Sequence, residues 1–291
     1  MIDDPIKRNL AIKPAVLVPM HKAEPSPEER ISIVQCQKIL RAHDIYLVCP
    51  KGMNVEIYQT LIPQLKLLEV DPKWMGSVAA YNRLMISPLL FQKMSNYSHI
   101  LIHEPDALVL KDDLHYWCNQ DFDYIGAPWF QSNSEGEISL KATGNYGLSL
   151  INVRAANQVF SNNRRWYSFS MIIRDFLRGL RRDKSYLSRA IRGIGPEGKL
   201  LKAHTLFTDH CDIFWSYLVP KLESSFNIAP PNEAIFFSWE SHPEKCFEIC
   251  NGRIPFGLHA WSKYNLNYLK PILIEAGVNL EIKINAPENP P

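Results

Sequence analysis

The sequence lacks the features that mark membrane-spanning or exported proteins. It has no run of about 18 apolar residues, the length that a transmembrane helix needs. Its first residues are acidic and no apolar stretch precedes Lys13, so we expect no secretory signal. We therefore expect the six cysteines to be reduced, cytosolic thiols. Cys246 and Cys250 lack the two-residue gap of a zinc knuckle, so a structural zinc site is not favoured.

Signatures of nucleotide-binding loops and of nucleic-acid binding are also scarce. The chain contains neither a Walker loop nor Gly-x-Gly-x-x-Gly, which argues against P-loop and classical dinucleotide-binding proteins. Its net charge is low, because 32 basic residues face 30 acidic ones, and this argues against a general nucleic-acid binder. By contrast, 46% hydrophobic and 11% aromatic residues exclude disorder for most of the 291 positions. We expect a single domain over 1–291 with a loose, proline-rich tail at 286–291.

The first fifty residues predict a strand, a helix and a second strand. Residues 15–19 form an apolar run ending at a proline, which is typical of a buried parallel strand. Ser26 is the expected N-cap of a helix, with Pro27 at its first position and Glu29 completing a capping box. A second apolar run, 45–49, follows the helix. A strand–helix–strand unit implies a parallel sheet and hence the α/β class.

Further elements alternate along the rest of the chain. We predict strands at 65–70, 98–103 and 147–151, a further apolar run at 107–110, and a short strand or turn at 124–128. We predict helices at 79–94 (bent at Pro88), 153–160, 208–221, 231–239 and 262–276. This order predicts a mostly parallel central sheet flanked by helices.

Two carboxylates follow the strand at 98–103 directly. Glu104 and Asp106 are two residues apart, so in an extended backbone their side chains point the same way. Ligands of open α/β sheets bind at the carboxyl ends of strands, and paired oxygen donors suit Mg²⁺ or Mn²⁺. The alternative is a solvated turn, because such acid pairs are common by chance.

Six short segments are more specific than the pair of acids. Between residues 15 and 272 they occur in the order LVPMHKAEPSPEE, ILIHEPDALVL, DYIGAPW, GNYGLSLINV, DIFWS and PFGLHAWSKY. Together they resemble a bacterial glycosyltransferase family of the GT-A type that is catalogued as a domain of unknown function (DUF5672-like). The resemblance covers nearly the whole chain except a basic segment at 164–202. It implies a GT-A-like fold and transfer of a sugar from a nucleotide-sugar donor.

The resemblance also implies a metal site. In GT-A enzymes a short acid motif after a central strand holds the divalent cation, Mn²⁺ or Mg²⁺, that bridges the donor diphosphate. Carried over, this role falls on Asp106 with support from Glu104, although many relatives have a neutral residue at the latter position. Several GT-A enzymes supply a late histidine ligand, which His259 matches; otherwise a histidine among aromatic residues is a packed core residue.

Two acids are candidates for the base that an inverting enzyme needs at the acceptor hydroxyl. Asp212 matches the acid that precedes the hydrophobic–aromatic pair in the family-like motif, and we favour it. Asp209 is the competitor and is also the expected helix N-cap. Alternatively, both acids only interact favourably with the positive end of the helix dipole. Cys211 stands where related proteins tend to have an acid, which weakens the match.

Ten further residues are candidates for contact with the donor or the acceptor. They are Pro19, His21, Lys22, Tyr81, Arg83, Trp129, Gly144, Asn145, Gly147 and Trp261. The first three end the first strand at the edge that faces the base and ribose in the family-like fold. The arginine is placed either against the diphosphate or on the surface. The glycines allow close approach of a ligand or form a plain turn, and the two tryptophans stack on a sugar or lie in the core.

The segment 164–202 is strongly basic and amphipathic. It carries eleven Lys and Arg against three acids, a formal charge of +8, which leaves −6 on the rest of the chain. Apolar residues at i, i+3 and i+4 spacing predict a helical insert with an apolar stripe. Docking on an anionic membrane is the favoured role, ahead of packing on the domain and of nucleic-acid binding.

Together these features predict a cation-dependent glycosyltransferase with a glycan or glycolipid acceptor. We expect it to act in surface polysaccharide or lipopolysaccharide biosynthesis, in the cytoplasm and peripherally on the inner face of the plasma membrane. Two alternatives stay open. One is a metal-dependent phosphoesterase acting on nucleotide sugars, and the other is a non-catalytic sugar- or membrane-binding module.

Overall fold

The computed structural model describes residues 12–161, 177, 180, 181, 207 and 209–281. The predicted basic insert lies almost wholly outside the described residues, and so does the predicted tail at 286–291. Leu177 and Leu180, two members of the predicted apolar stripe, are described and exposed. Within the described part of the chain, no helix is both long and apolar enough to cross a bilayer.

The strands of the described chain form three sheets. They are β1 Pro14–Pro19, β2 Asp44–Pro50, β3 Lys66–Val70, β4 His99–His103, β5 Leu108–Val109, β6 Tyr124–Ile125, β7 Pro128–Ser132, β8 Ile138–Thr143, β9 Leu148–Asn152, β10 Ser238–Trp239 and β11 Gly257–Leu258. The central sheet has the order β3-β2-β1-β4-β9-β6. Strands β1 to β4 are parallel, and β9 runs antiparallel to both of its neighbours. The predicted α/β class and mostly parallel central sheet are therefore confirmed.

Helices cover both faces of this sheet. They are α1 Pro27–Leu40, α2 Glu56–Leu61, α3 Val78–Met85, α4 Pro88–Lys93, α5 Leu114–Cys118, α6 Val153–Ser161, α7 (Cys211–Ile213, a π-helical turn Phe214–Leu218 and Val219–Leu222), α8 Pro231–Phe237, α9 Pro243–Ile249 and α10 Leu266–Glu275. Residues of β1 alternate between the two layers of core: Ala15 and Leu17 face one, Val16 and Val18 the other. Burial on both faces explains why the central strands are apolar throughout.

The start of α1 follows from its sequence. The Ser26 hydroxyl accepts a hydrogen bond from the backbone N–H of Glu29, and the Glu29 carboxylate accepts one from the Ser26 N–H. Pro27 occupies the first helical turn, where a missing N–H has no consequence. The predicted capping box is confirmed.

The predicted helix over 79–94 is wrong in one respect. The structure has two helices, α3 and α4, and Pro88 begins the second instead of bending a single one. Ser87 is extended, with φ −96° and ψ 140°, because the residue before a proline avoids the α region. The β7–β8 hairpin and helices α2, α5 and α9 were not predicted from the sequence.

A small second sheet fixes the position of the C-terminal part. Its order is β10-β11-β5, and β5 follows β4 through the turn that contains the paired acids. A third apolar cluster, which includes Trp239 and Trp261, packs around this sheet. The C-terminal segment is thereby held against the carboxyl end of β4.

Candidate metal and active site

The paired acids lie where the topology of the sheet reverses. From β1 the chain builds β2 and β3 on one side and then returns to place β4 on the other side of β1. The carboxyl ends of β1 and β4, at Pro19 and His103, therefore flank a switch point. Crevices at such points are the usual ligand sites of open α/β sheets.

Backbone hydrogen bonds fix the acid turn from three directions. The N–H of Glu104 donates to the carbonyl of Gly147 (2.8 Å), and the N–H of Ala107 donates to the carbonyl of Glu104 (2.8 Å). The N–H of Trp261 donates to the carbonyl of Asp106 (3.3 Å). The turn is thus tied both to the loop before β9 and to the C-terminal segment.

The structure brings Glu104, Asp106 and His259 together. Nε2 of His259 lies 3.3 Å from Oδ1 of Asp106 and 3.6 Å from Oε2 of Glu104. One donor atom from each of the three lies within 4.8 Å of the others. Two carboxylate oxygens and one imidazole nitrogen form a set of ligands that Mn²⁺ accepts. The three atoms are close enough to one another to bind a single ion. The residues therefore fit a divalent cation.

Charge explains how these three side chains interact without a cation. Burial alone would lower the pKa of His259, but the nearby carboxylates of Asp106, Glu104 and Glu240 raise it well above its ordinary value. Burial raises the pKa of Asp106, and the adjacent imidazole outweighs this effect and lowers it. Without a cation, a proton on His259 therefore supplies the positive charge that balances the neighbouring carboxylates.

Gly147 leaves the space that His259 occupies. A Cβ atom at Gly147 would lie 2.0 Å from Nε2 and 2.2 Å from Cδ2 of His259, far inside contact distance. The N–H of Gly147 also donates to Oδ1 of Asn145 (3.1 Å). A glycine is therefore required here by close packing on the imidazole.

Helix α3 supplies two supporting side chains. The hydroxyl of Tyr81 donates a hydrogen bond to Oε1 of Glu104 at 2.7 Å. Tyr81, which was predicted to contact the sugar donor, thus holds a carboxylate of the metal site. The neighbouring Asn82 accepts, through Oδ1, the N–H of Cys211 at 2.7 Å and so fixes the start of α7. Arg83 is partly buried on the same helix.

Asp212 lies in the first turn of α7, within electrostatic reach of Glu240 and Glu104. Burial raises its pKa, and the negative charges of Glu240 and Glu104 add to the effect. Its Oδ1 accepts the N–H of Ile213 at 2.7 Å. The prediction that Asp209 is the N-cap is wrong, because His210 holds that position in extended conformation. The Asp209 carboxylate instead accepts the N–H of His210 at 3.2 Å.

At the end of β1 the predicted donor contacts fall into different environments. Pro19 is buried and His21 is exposed. The ammonium group of Lys22 lies 2.8 Å from the Glu29 carboxylate, so it is engaged by the N-terminal turn of α1.

The loop before β9 packs on the β7–β8 hairpin. The indole of Trp129 lies directly against Gly144, where a Cβ would come within 2.2 Å of the ring. The hydroxyl of Tyr124 donates to the carbonyls of Gly144 and Asn145. Trp129 is partly exposed, whereas Trp261 is 3% exposed. Of the two positions expected for Trp261, the structure therefore has the second, with its ring in the core.

Glu240 is the site residue that the sequence analysis missed. It follows β10, partly buried, and its Oε1 lies 3.3 Å from Nδ1 of His259. A signal was available, because Glu240 directly follows a strand as Glu104 does, but the helix predicted at 231–239 is wrong at its end, where Ser238–Trp239 is strand β10.

Comparison with known proteins places the chain in a family. Residues 64–259 match the family described as "Protein of unknown function (DUF5672)". The chain belongs to this family. The match begins before β3 and ends at His259, so it includes all three donors of the metal site.

Solved glycosyltransferase structures match the chain at low sequence identity and with TM-scores below 0.5. A galactosyltransferase, LgtC, in complex with donor and acceptor sugar analogs is 10% identical with a TM-score of 0.45, over 84% of this chain and 86% of that one. Glycosyltransferase GlyE from Streptococcus pneumoniae is 12% identical with a TM-score of 0.43, over 92% and 60%. A glycosyltransferase involved in the glycosylation of the major capsid of PBCV-1 is 10% identical with a TM-score of 0.42, over 90% and 99%. No curated protein matches the chain in sequence.

Proposed function

We propose that this protein is a glycosyltransferase that moves a sugar from a nucleotide-sugar donor to a hydroxyl group of a glycan or glycolipid acceptor, with the help of a divalent cation. The observation that carries the proposal is the cluster of Glu104, Asp106 and His259 at the switch point of the central sheet. A crevice at this point suits a nucleotide, and a cation beside it suits a diphosphate.

The residues divide the chemistry between them. Glu104, Asp106 and His259 would hold Mn²⁺ or Mg²⁺, which when bound supplies positive charge to the leaving diphosphate as a Lewis acid. Tyr81 orients Glu104 by a hydrogen bond of 2.7 Å. The loop at 144–147 lies beside the imidazole through Gly147 and is the proposed neighbour of the donor sugar or the acceptor.

Asp212 is the proposed base of an inverting reaction. It would take the proton from the acceptor hydroxyl as the oxygen attacks the anomeric carbon, and the bond from that carbon to the diphosphate breaks. The raised pKa of Asp212 is closer to neutral pH than that of an ordinary aspartate. Its carboxylate is therefore a stronger base toward the acceptor hydroxyl. Asp209 is the weaker candidate, because it lies before α7 and outside the motif position that Asp212 matches.

The cellular setting of the reaction is also a proposal. A basic segment of +8 at 164–202 suits contact with anionic lipid, which would bring the enzyme to a membrane-bound glycolipid acceptor. This supports peripheral attachment to the inner face of the plasma membrane and a role in surface polysaccharide or lipopolysaccharide biosynthesis. Deleting the segment should weaken binding to anionic liposomes; unchanged binding would contradict the lipid role.

The test is donor binding and turnover with Asp106→Asn. A panel of nucleotide sugars should contain one that raises the melting temperature of the wild-type protein only with Mn²⁺. Asp106→Asn should remove this shift and abolish turnover while the protein stays folded. Asp113→Asn is the matched control, because Asp113 is a surface acid paired with Lys111 at 2.8 Å. An Asp106→Asn protein that stays active would exclude the metal assignment.

Product analysis separates the proposal from a phosphoesterase. The same three donors could support hydrolysis of a nucleotide sugar by a metal-activated water. A transferase should release the nucleotide slowly until an acceptor is added, whereas a phosphoesterase should release it rapidly without one. A non-catalytic binding module would show neither reaction.

A further inference from the structure

The imidazole of His259 is held between acids on both of its nitrogen edges. Nε2 faces Asp106 and Glu104, the two oxygen donors of the proposed metal site. On the opposite edge Nδ1 lies 3.3 Å from Oε1 of Glu240. The side chains of His259 and Glu240 are 12% and 20% exposed, so bulk water screens this contact only weakly.

Strand pairing explains why Glu240 is next to His259. In the small sheet β10 and β11 are parallel, with Ser238 opposite Gly257 and Trp239 opposite Leu258. The next residue of each strand is therefore Glu240 and His259, which leave the sheet side by side. The N–H of His259 donates to the carbonyl of Trp239 at 2.7 Å and fixes this register.

We propose that Glu240 is a positioning residue for the metal site: its carboxylate accepts the Nδ1 proton of His259, which selects the tautomer with Nε2 free and aims Nε2 at the cation. The inference rests on the cation site of the proposed function. Metal-binding histidines commonly donate their second N–H to a carboxylate, and loss of that partner weakens metal binding about 10- to 100-fold.

Geometry separates this role from that of a fourth ligand. The two nitrogens are on different edges of the ring, so a carboxylate bonded to Nδ1 lies on the far side of the imidazole from an ion bonded to Nε2. Among the described residues, the donor cluster consists of Glu104, Asp106 and His259 without Glu240. Glu240 therefore acts through His259, and its effect should vanish when the imidazole is removed.

The test is Mn²⁺ binding, measured by the electron paramagnetic resonance signal of free Mn²⁺ in the absence of any sugar. Glu240→Ala should weaken binding about 10- to 100-fold. Glu240→Gln keeps the volume and an acceptor oxygen, so it should fall between Glu240→Ala and the wild type and guards against loss of folding. In a His259→Ala background, Glu240→Ala should have no further effect. Glu248→Ala is the control, because Glu248 is exposed on α9 and pairs with Lys245.

Each other outcome has a definite meaning. Wild-type affinity in a folded Glu240→Ala protein would overturn the positioning role and leave the metal site intact. An equal loss in the wild-type and His259→Ala backgrounds would also overturn it, since Glu240 would then act without the imidazole. A wild-type protein that binds no Mn²⁺ would overturn both the positioning role and the cation site.

Discussion

Replacing Gly147 by alanine is expected to remove His259 from the metal site without disturbing the fold around it. The new Cβ would lie 2.0 Å from Nε2, whereas ordinary contact begins at 3.4 Å. The imidazole must therefore move by about 1.4 Å, many times the ±0.2 Å that a metal–ligand distance tolerates. The φ angle of Gly147 is not in the left-handed region, so alanine adds no backbone strain.

The expected magnitude follows from losing one of three protein ligands. We expect the dissociation constant for Mn²⁺ to rise at least tenfold, about 1.4 kcal/mol. Overpacking beside a buried ring should also lower the free energy of unfolding by about 1–3 kcal/mol. Isothermal titration with Mn²⁺ and urea denaturation measure the two effects separately.

Gly76→Ala provides the matched control. Its Cβ would have only the carbonyl oxygen of Pro72 as a neighbour, at an ordinary 3.8 Å. The control should bind Mn²⁺ as the wild type does. If Gly147→Ala also binds Mn²⁺ with wild-type affinity, then His259 is not a ligand in the geometry described above, and the reasoning fails.

Three other predictions address the base, the proton on the imidazole and the first helix. Asp212→Asn should lower kcat by about 10²- to 10⁴-fold while donor binding persists, and Asp209→Asn should change kcat little; the opposite ranking in steady-state assays would move the base to Asp209. The pKa of His259 is raised above 6.5 in the folded protein. The ion pairs of protonated His259 therefore contribute their full stability below pH 6.5 and lose it as the pH rises through the folded-state pKa. The melting temperature of the metal-free wild type should therefore approach that of His259→Gln as the pH is raised, and a constant difference would contradict the ion-pair assignment. Ser26→Ala should lower the free energy of unfolding by about 1 kcal/mol through loss of the capping box, as urea denaturation can check.

Local patterns predicted the elements that depend on neighbouring residues. The capping box at Ser26 and the apolar strands 15–19 and 45–49 follow from chemistry within a few positions, and the structure has them where expected. The break at Ser87 also has a local cause, which the sequence analysis treated only as a bend. Such features need no knowledge of distant residues.

The site depended on contacts that no local pattern contains. The spacing of Glu104 and Asp106 indicated a shared direction, but their meeting with His259 depends on the small sheet that joins β5 to β11. The resemblance suggested that third donor, whereas neither route identified Glu240. Trp261 shows the converse, since a tryptophan in a family-like motif is equally compatible with a core position until burial is known.

The two parts of the donor cluster lie far apart along the chain. Asp106 and His259 are separated by about 150 positions, and an unfolded chain would have to close a loop of that length to bring them together. Binding of a cation would therefore be nearly exclusive to the folded protein. At a concentration a hundred times the dissociation constant it would add about 2.7 kcal/mol to stability. The bound ion would thus cross-link the acid turn and the C-terminal segment. Because the same three side chains would hold the cation for the donor, only a fully folded protein would bind the donor.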